Sequence, residues 1–223
     1  MSNEDLLYIE DDNKRKLFYR FTPAVITSNF VPLIVILHEE GRAEAPNFEH
    51  KMWNVLTPLD NFGYENRGSS WLGNKGDFFV KDLLQKLIHE ITEEHECEDH
   101  IYLYGSSMGG YGAILHGILC KANAVYAHAP YIRLQETDDV DTDSKENNLT
   151  NFLNPTDPFP IFYLCDDGIA DENCLEDETA YFVDACKKHD IKVHLDFCPK
   201  LEDDGIKVLK KVLDFFERVA SER

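Results

Sequence analysis

The stretch from His100 to Ala122, HIYLYGSSMGGYGAILHGILCKA, decides the reading of this chain. Ile101-Tyr102-Leu103-Tyr104 is an apolar run of strand length. Tyr111 to Leu119 continues as a helix, and small residues at Gly110, Gly112 and Ala113 let it pack close to the strand. Between the two, Gly105-Ser106-Ser107-Met108-Gly109 fits G-x-S-x-G with Ser107 at its centre. Such a turn lifts a serine hydroxyl onto a sharp strand-to-helix corner. Glycine is required on either side because side chains two residues from the serine would strike the neighbouring strand and helix. The helix that follows turns its N–H groups and positive dipole end toward whatever the serine holds. These features point to nucleophilic acyl-transfer chemistry.

Outward from this corner, strand and helix patterns alternate. Lys14 to Phe21 alternates polar and apolar like a half-exposed antiparallel edge strand, whereas Val31 to Leu37 (VPLIVIL) is a near-continuous apolar run of a strand buried on both faces. Asn54 to Pro58, Ala124 to His128, Phe159 to Cys165 and Lys192 to Cys198 read as further strands. Helical spacing runs over Phe78 to Glu94, with Asp77 as N-cap, over Leu175 to Lys188, and over Gly205 to Val219, where Val208, Val212, Leu213, Phe216 and Val219 form one stripe. This alternation predicts an α/β fold, a doubly wound, mostly parallel sheet with helices on both faces, formed by residues 1–223 as a single domain. The polar, acidic stretch from Leu134 to Pro158, with TDDVDTDSKENN inside it, breaks the rhythm and is expected to be a short lid or loop insertion.

The 223 residues carry 42 acidic and 22 basic side chains, a formal charge of −20. Such a surface repels nucleic acid and anionic membranes, so neither is expected as a partner. No apolar run approaches the length of a membrane span. The start, MSNEDLLYIEDD, lacks the pattern of a signal peptide, and the chain is read as cytoplasmic. The six cysteines form no C-x-x-C and most sit in apolar strand or helix patterns, as reduced core residues do. Cys97-x-x-His100 is too sparse for zinc, and no metal or cofactor is expected. Nothing in the sequence sets an oligomeric state.

The order of elements, with G-x-S-x-G in the fifth-strand position, resembles the α/β-hydrolase superfamily over essentially the whole chain, at its small, esterase-like end. The resemblance implies hydrolysis of esters, thioesters or amides by a Ser–acid–His triad in that chain order. It makes Ser107 the nucleophile and the Met108 N–H one oxyanion donor. The second donor belongs in the turn after the third strand, Leu37-His38-Glu39-Glu40-Gly41, and is assigned to the Glu39 N–H. Acidic side chains in that turn would oppose a developing oxyanion unless they turn outward. The acid is assigned to Asp171, in Gly168 to Asp171, with Asp166 and Asp167 as runners-up. The resemblance places the histidine in Pro199 to Gly205, PKLEDDG, which contains none. His38 and His128 are the imidazoles with a path to Ser107 as substitute base, and Glu202, Asp203 and Asp204 are weaker bases.

The glycine-rich, aromatic loop Asp60 to Asp77 follows a parallel strand and starts on the face of Ser107, so Phe62, Tyr64, Arg67 and Trp71 are candidates to line a substrate groove. Three functions follow. The first is an esterase or deacylase acting on a small-molecule or glycan ester. The second is a binding protein of the same fold that has lost the triad histidine. The third is an acyltransferase that passes the acyl group to a sugar hydroxyl.

Overall fold

The computed structural model describes residues 6–26, 31–42, 44–134, 144–154, 158–166, 178–197 and 205–221. In chain order its elements are β1 (Leu7–Glu10), β2 (Lys16–Thr22), β3 (Leu33–Leu37), β4 (Asn54–Leu59), α1 (Phe79–Glu94), β5 (Ile101–Ser106), α2 (Met108–Leu119), β6 (Ala124–His128), β7 (Ile161–Asp166), α3 (Glu178–Lys188), β8 (Val193–Phe197) and α4 (Gly205–Ser221). Among the described residues the strands form one sheet in the order β1-β2-β4-β3-β5-β6-β7-β8. β1 and β2 are antiparallel to each other, and β2 to β4, while every pair from β4 through β3 to β8 is parallel. This is the doubly wound α/β architecture that the sequence predicts.

The period-two alternation of the strands divides the core into two layers. Leu33, Val35, Leu37, Leu103, Val125 and Phe162 face the layer that also holds the apolar stripes of α1, α2 and α3. Ile34, Ile36, Val55, Tyr102 and Tyr126 face the other layer, where Val212, Phe215, Phe216 and Val219 of α4 meet them. Strands buried on both faces have no polar side to display, which is why β3 reads as an unbroken apolar run. Parallel strands present their C-terminal ends on one edge, and the elbow after β5 stands there beside the ends of β3 and β6.

Several local expectations change. The edge strand is Leu7–Glu10, so the Lys14–Phe21 pattern forms the second strand of the sheet. Asp77 does not cap α1: Phe78 holds that position without a side-chain cap, and Asp77 pairs with Arg15 across the loop. Cys165 is disulfide-bonded, whereas Cys97, Cys120 and Cys186 are free, so the all-reduced reading fails at Cys165. Part of the Leu134–Pro158 insertion is packed. Short 3-10 turns cover Lys145–Asn147 and Leu149–Phe152, and Leu149 and Leu153 are buried. Tyr111 of α2 donates its hydroxyl to the Glu146 carbonyl, and Lys81 of α1 pairs with the Glu146 carboxylate at 2.6 Å. Among the described residues no helix is long and apolar enough to cross a membrane.

Candidate active site

Ser107 stands between β5 and α2 with φ 53 and ψ −118. A non-glycine residue in this region is strained by about 1–3 kcal/mol and persists only where its surroundings impose it. Here they do. The Ser107 N–H donates to the His128 carbonyl on β6 at 2.9 Å, and the Ser107 carbonyl accepts the Tyr111 N–H at 3.1 Å. A Cβ on Gly105 would collide with the Gly109 carbonyl, and one on Gly109 with the carbonyls of Leu37 and His38. Both glycines of the motif are therefore demanded by contact. The Ser107 side chain does not cap α2, although it occupies the N-cap position. Helix geometry leaves the N–H groups of Met108, Gly109 and Gly110 without intrahelical partners.

The turn after β3 lies against this corner, since the Leu37 and His38 carbonyls face Gly109. His38 is buried, and both its ring nitrogens are engaged. Nε2 accepts the Asp60 N–H at 2.9 Å, which leaves the proton on Nδ1 to be donated to the Glu39 carbonyl at 2.7 Å. Burial holds its pKa below the usual histidine value. A neutral ring with both nitrogens committed has no lone pair for a serine proton, and the substitute-base role is withdrawn from His38. The acidic side chains of the turn point outward and are compensated. Glu39 pairs with Arg42 at 2.6 Å and Glu40 with Arg67 at 3.3 Å, all four half-exposed. Burial, with the charge of Glu39 second, pushes the Tyr104 hydroxyl up to about 12, so this neighbour on β5 stays protonated.

The 60–77 loop is organised from within. The Asp60 carboxylate, fully buried, accepts the N–H groups of Ser69 (2.8 Å), Trp71 (2.9 Å) and Phe62 (3.3 Å) and the Ser69 hydroxyl (3.0 Å). Trp71 lines no groove. It is fully buried, with its ring 4.8 Å from that of His38 and against Gly112 of α2, where a Cβ would come within 2.5 Å of it. Phe62 turns inward onto Phe79. Tyr64 and Arg67 are exposed, and Arg67 reaches the turn after β3 through Glu40.

His128 ends β6, in register with Ser106, and its carbonyl is the group that receives the Ser107 N–H. By strand alternation its side chain leaves the sheet on the same face as Tyr126. His116 of α2, a second buried histidine, accepts from Gln85 at Nδ1 (2.8 Å) and donates from Nε2 to the Trp71 carbonyl (3.2 Å). Asp166 closes β7. Asp167, Asp171, Glu202, Asp203 and Asp204 lie outside the described residues. Among the described residues no cluster of His, Cys, Asp or Glu is arranged to hold a metal. A cleft of about 690 Å³ runs between α4 and strands β6 to β8, lined by Tyr126, Tyr163, Asp196 and Arg218, and no elbow residue borders it. The candidate site is the elbow, which lies apart from that cleft. The two roles that sequence reasoning missed, those of Asp60 and His38 as anchors, depend on bonds spanning 9 to 22 residues, which no local pattern encodes.

The chain matches no known family profile and no curated protein by sequence. Its structure is similar to an S-formylglutathione hydrolase from Agrobacterium tumefaciens, with a TM-score of 0.72 and 13% identity over 97% of this chain and 94% of that one. It is similar to the capsule O-acetyltransferase of Neisseria meningitidis serogroup A, at 0.65 and 15%, over 96% of this chain and 94% of that one. The dipeptidyl peptidase 4 of Porphyromonas gingivalis also matches, at 0.68 and 15%, but 96% of this chain covers 35% of that one. The chain spans about a third of the length of the peptidases it matches. The fold is that of the α/β-hydrolases. The neighbours that share it are serine hydrolases, esterases, peptidases and acyltransferases.

Proposed function

We propose that this protein is a serine esterase or acyltransferase acting on a small-molecule or glycan ester, with Ser107 as nucleophile. The observation that carries the reading is the strained Ser107 backbone held between two contact-demanded glycines at the N-terminus of α2. That backbone presents the hydroxyl beside helix N–H groups that have no intrahelical partner. Two full-length structural neighbours, a hydrolase of a formyl group and an O-acetyltransferase, support acyl chemistry.

In this reading the Ser107 Oγ attacks the ester carbonyl, and its proton passes to a base. The tetrahedral oxyanion is received by the N–H groups of Met108 and Glu39. Collapse expels the alcohol, which takes the proton, and leaves an acyl-serine. Water or a sugar hydroxyl then removes the acyl group and regenerates Ser107. His128 is the base candidate left at the elbow once His38 is committed, and Asp171 remains the preferred acid. The absence of histidine from residues 199–205 favours the second reading, a binding protein without turnover.

Fluorophosphonate labelling separates the two. The purified chain is expected to take the label and Ser107→Ala to lose it, with hydrolysis of p-nitrophenyl acetate lost in parallel. A folded wild-type chain that takes no label would overturn the esterase reading in favour of the binding one.

A further inference from the structure

We infer that the anchored loop 60–68 holds the turn that carries the Glu39 half of the oxyanion hole, with Asp60 and His38 as positioning residues acting on that turn. The inference rests on the esterase reading above and gives these two buried residues a purpose in it. Three contacts carry it. The His38 ring spans from the Asp60 N–H (2.9 Å) to the Glu39 carbonyl (2.7 Å) and so ties the turn at the Glu39–Glu40 peptide, directly next to the peptide that carries the Glu39 N–H. The Gly41 N–H donates to the Arg67 carbonyl at 2.7 Å, which ties the far side of the same turn to the same loop. Gly68, with φ 115, packs on the end of the Met108 side chain, so the loop also seats against the start of α2: a Cβ there would stand 2.5 Å from Met108 Cε and 2.6 Å from Sδ.

The loop that makes these contacts is itself closed. The Gly68 N–H donates to the Phe62 carbonyl at 2.8 Å, and the Asp60 carboxylate gathers Phe62, Ser69 and Trp71. Asp60 and His38 are both buried, so breaking any of these bonds strands a polar group away from water. The acidic oxyanion turn gains a rationale as well. Glu40 faces outward onto Arg67 and so reinforces the loop contact rather than opposing the oxyanion. Oxyanion donors act only when already aimed, and a displacement of about 1 Å costs on the order of a hundred-fold in rate. A neutral His38 is required, because a proton on Nε2 would face the Asp60 N–H. Burial keeps the ring neutral.

The test uses the full chain and reads the fluorophosphonate labelling rate constant, with kcat and KM for p-nitrophenyl acetate. His38→Phe keeps a ring beside Trp71 and removes both bonds. His38→Asn restores an amide donor at the position of Nδ1. Ser69→Ala removes one ligand of Asp60 and leaves the remainder in place. His38→Phe should slow labelling about ten- to a hundred-fold, with kcat falling and KM unchanged. His38→Asn should recover most of the loss, and Ser69→Ala should slow labelling a few-fold. Should His38→Phe fail to fold, the Asn and Ala variants carry the comparison. Unchanged labelling in folded His38→Phe, or in folded Ser69→Ala if the Phe variant does not fold, would overturn this inference alone. So would losses that follow melting temperature rather than kcat. A wild-type chain that takes no label would overturn the esterase reading and this inference with it.

Discussion

Ser107 and His116 sit nine residues apart and show what a single residue reveals of its role. Ser107 is legible from sequence because its requirement is local: glycines two residues to either side permit a backbone that their neighbours then enforce. His116 reads only as a helix residue, since its partners Gln85 and Trp71 are 31 and 45 residues away. Those partners make it a titrating stability element. Burial, opposed in part by the bond to the Trp71 carbonyl and assisted by the charge of Lys81, lowers its pKa from 6.5 to about 4. The unfolded chain therefore binds a proton between pH 6.5 and 4 that the folded chain refuses. Stability contributed by the neutral ring is complete above about pH 6.5 and declines as pH falls toward 4, by about 3 kcal/mol over the interval. Urea unfolding of the wild type and of His116→Gln at pH 7.0, 5.5 and 4.5 measures it. The difference between the two proteins should shrink steadily with acid, while a constant difference would contradict the assignment.

At the scale of elements, the sheet and its helices were legible and the loops were not, for a physical reason. β3, β5 and β6 declare themselves because burial on both faces demands continuous apolar sequence. α4 declares itself by a stripe at helical spacing. β1 escapes notice because four residues at an edge, half of them exposed, leave no period to count. In the 60–77 loop the sequence offers aromatics and glycines, but which of them turn inward is settled by the buried Asp60 carboxylate collecting N–H groups along the chain. Hence Trp71 went to the core and Tyr64 to solvent. α4 supplies an element-scale prediction. Phe216 is fully buried, with its ring centroid 5.0 Å from Tyr102 and 6.1 Å from Trp53. With Val212, Phe215 and Val219 it is one of the side chains by which α4 packs on the sheet. Phe216→Ala should destabilise the protein by about 3–5 kcal/mol, read as a lower urea midpoint. Phe216→Leu should cost markedly less, because it leaves a smaller cavity. Little loss in either variant would mean that α4 is held elsewhere.

Across the whole molecule the dominant electrostatic fact is the charge of −20. A folded chain of 223 residues has a radius of gyration of about 17 Å. At about 10 mM salt, where the screening length is about 30 Å, each carboxylate feels the others through and around the entire fold. Unfolding separates the charges, so the compact state bears the repulsion. Ion pairs oppose it only weakly. Glu39–Arg42, Lys14–Glu10 and Lys86–Glu90 lie at the surface, where water and salt screen them and each contributes little. With 42 acidic against 22 basic residues, pairing cannot neutralise the excess. Screening should therefore remove more repulsion than attraction, and the protein should become more stable as salt rises. The melting temperature is expected to climb by several degrees between about 10 and 200 mM sodium chloride and then to level off as the screening length falls below the spacing of surface charges. Sodium sulfate at equal ionic strength separates screening from solvent exclusion. If the two salts act alike in this range, charge repulsion is the cause. If sulfate alone stabilises, the effect comes from exclusion at the apolar surface, and the net charge has no measurable hold on the fold.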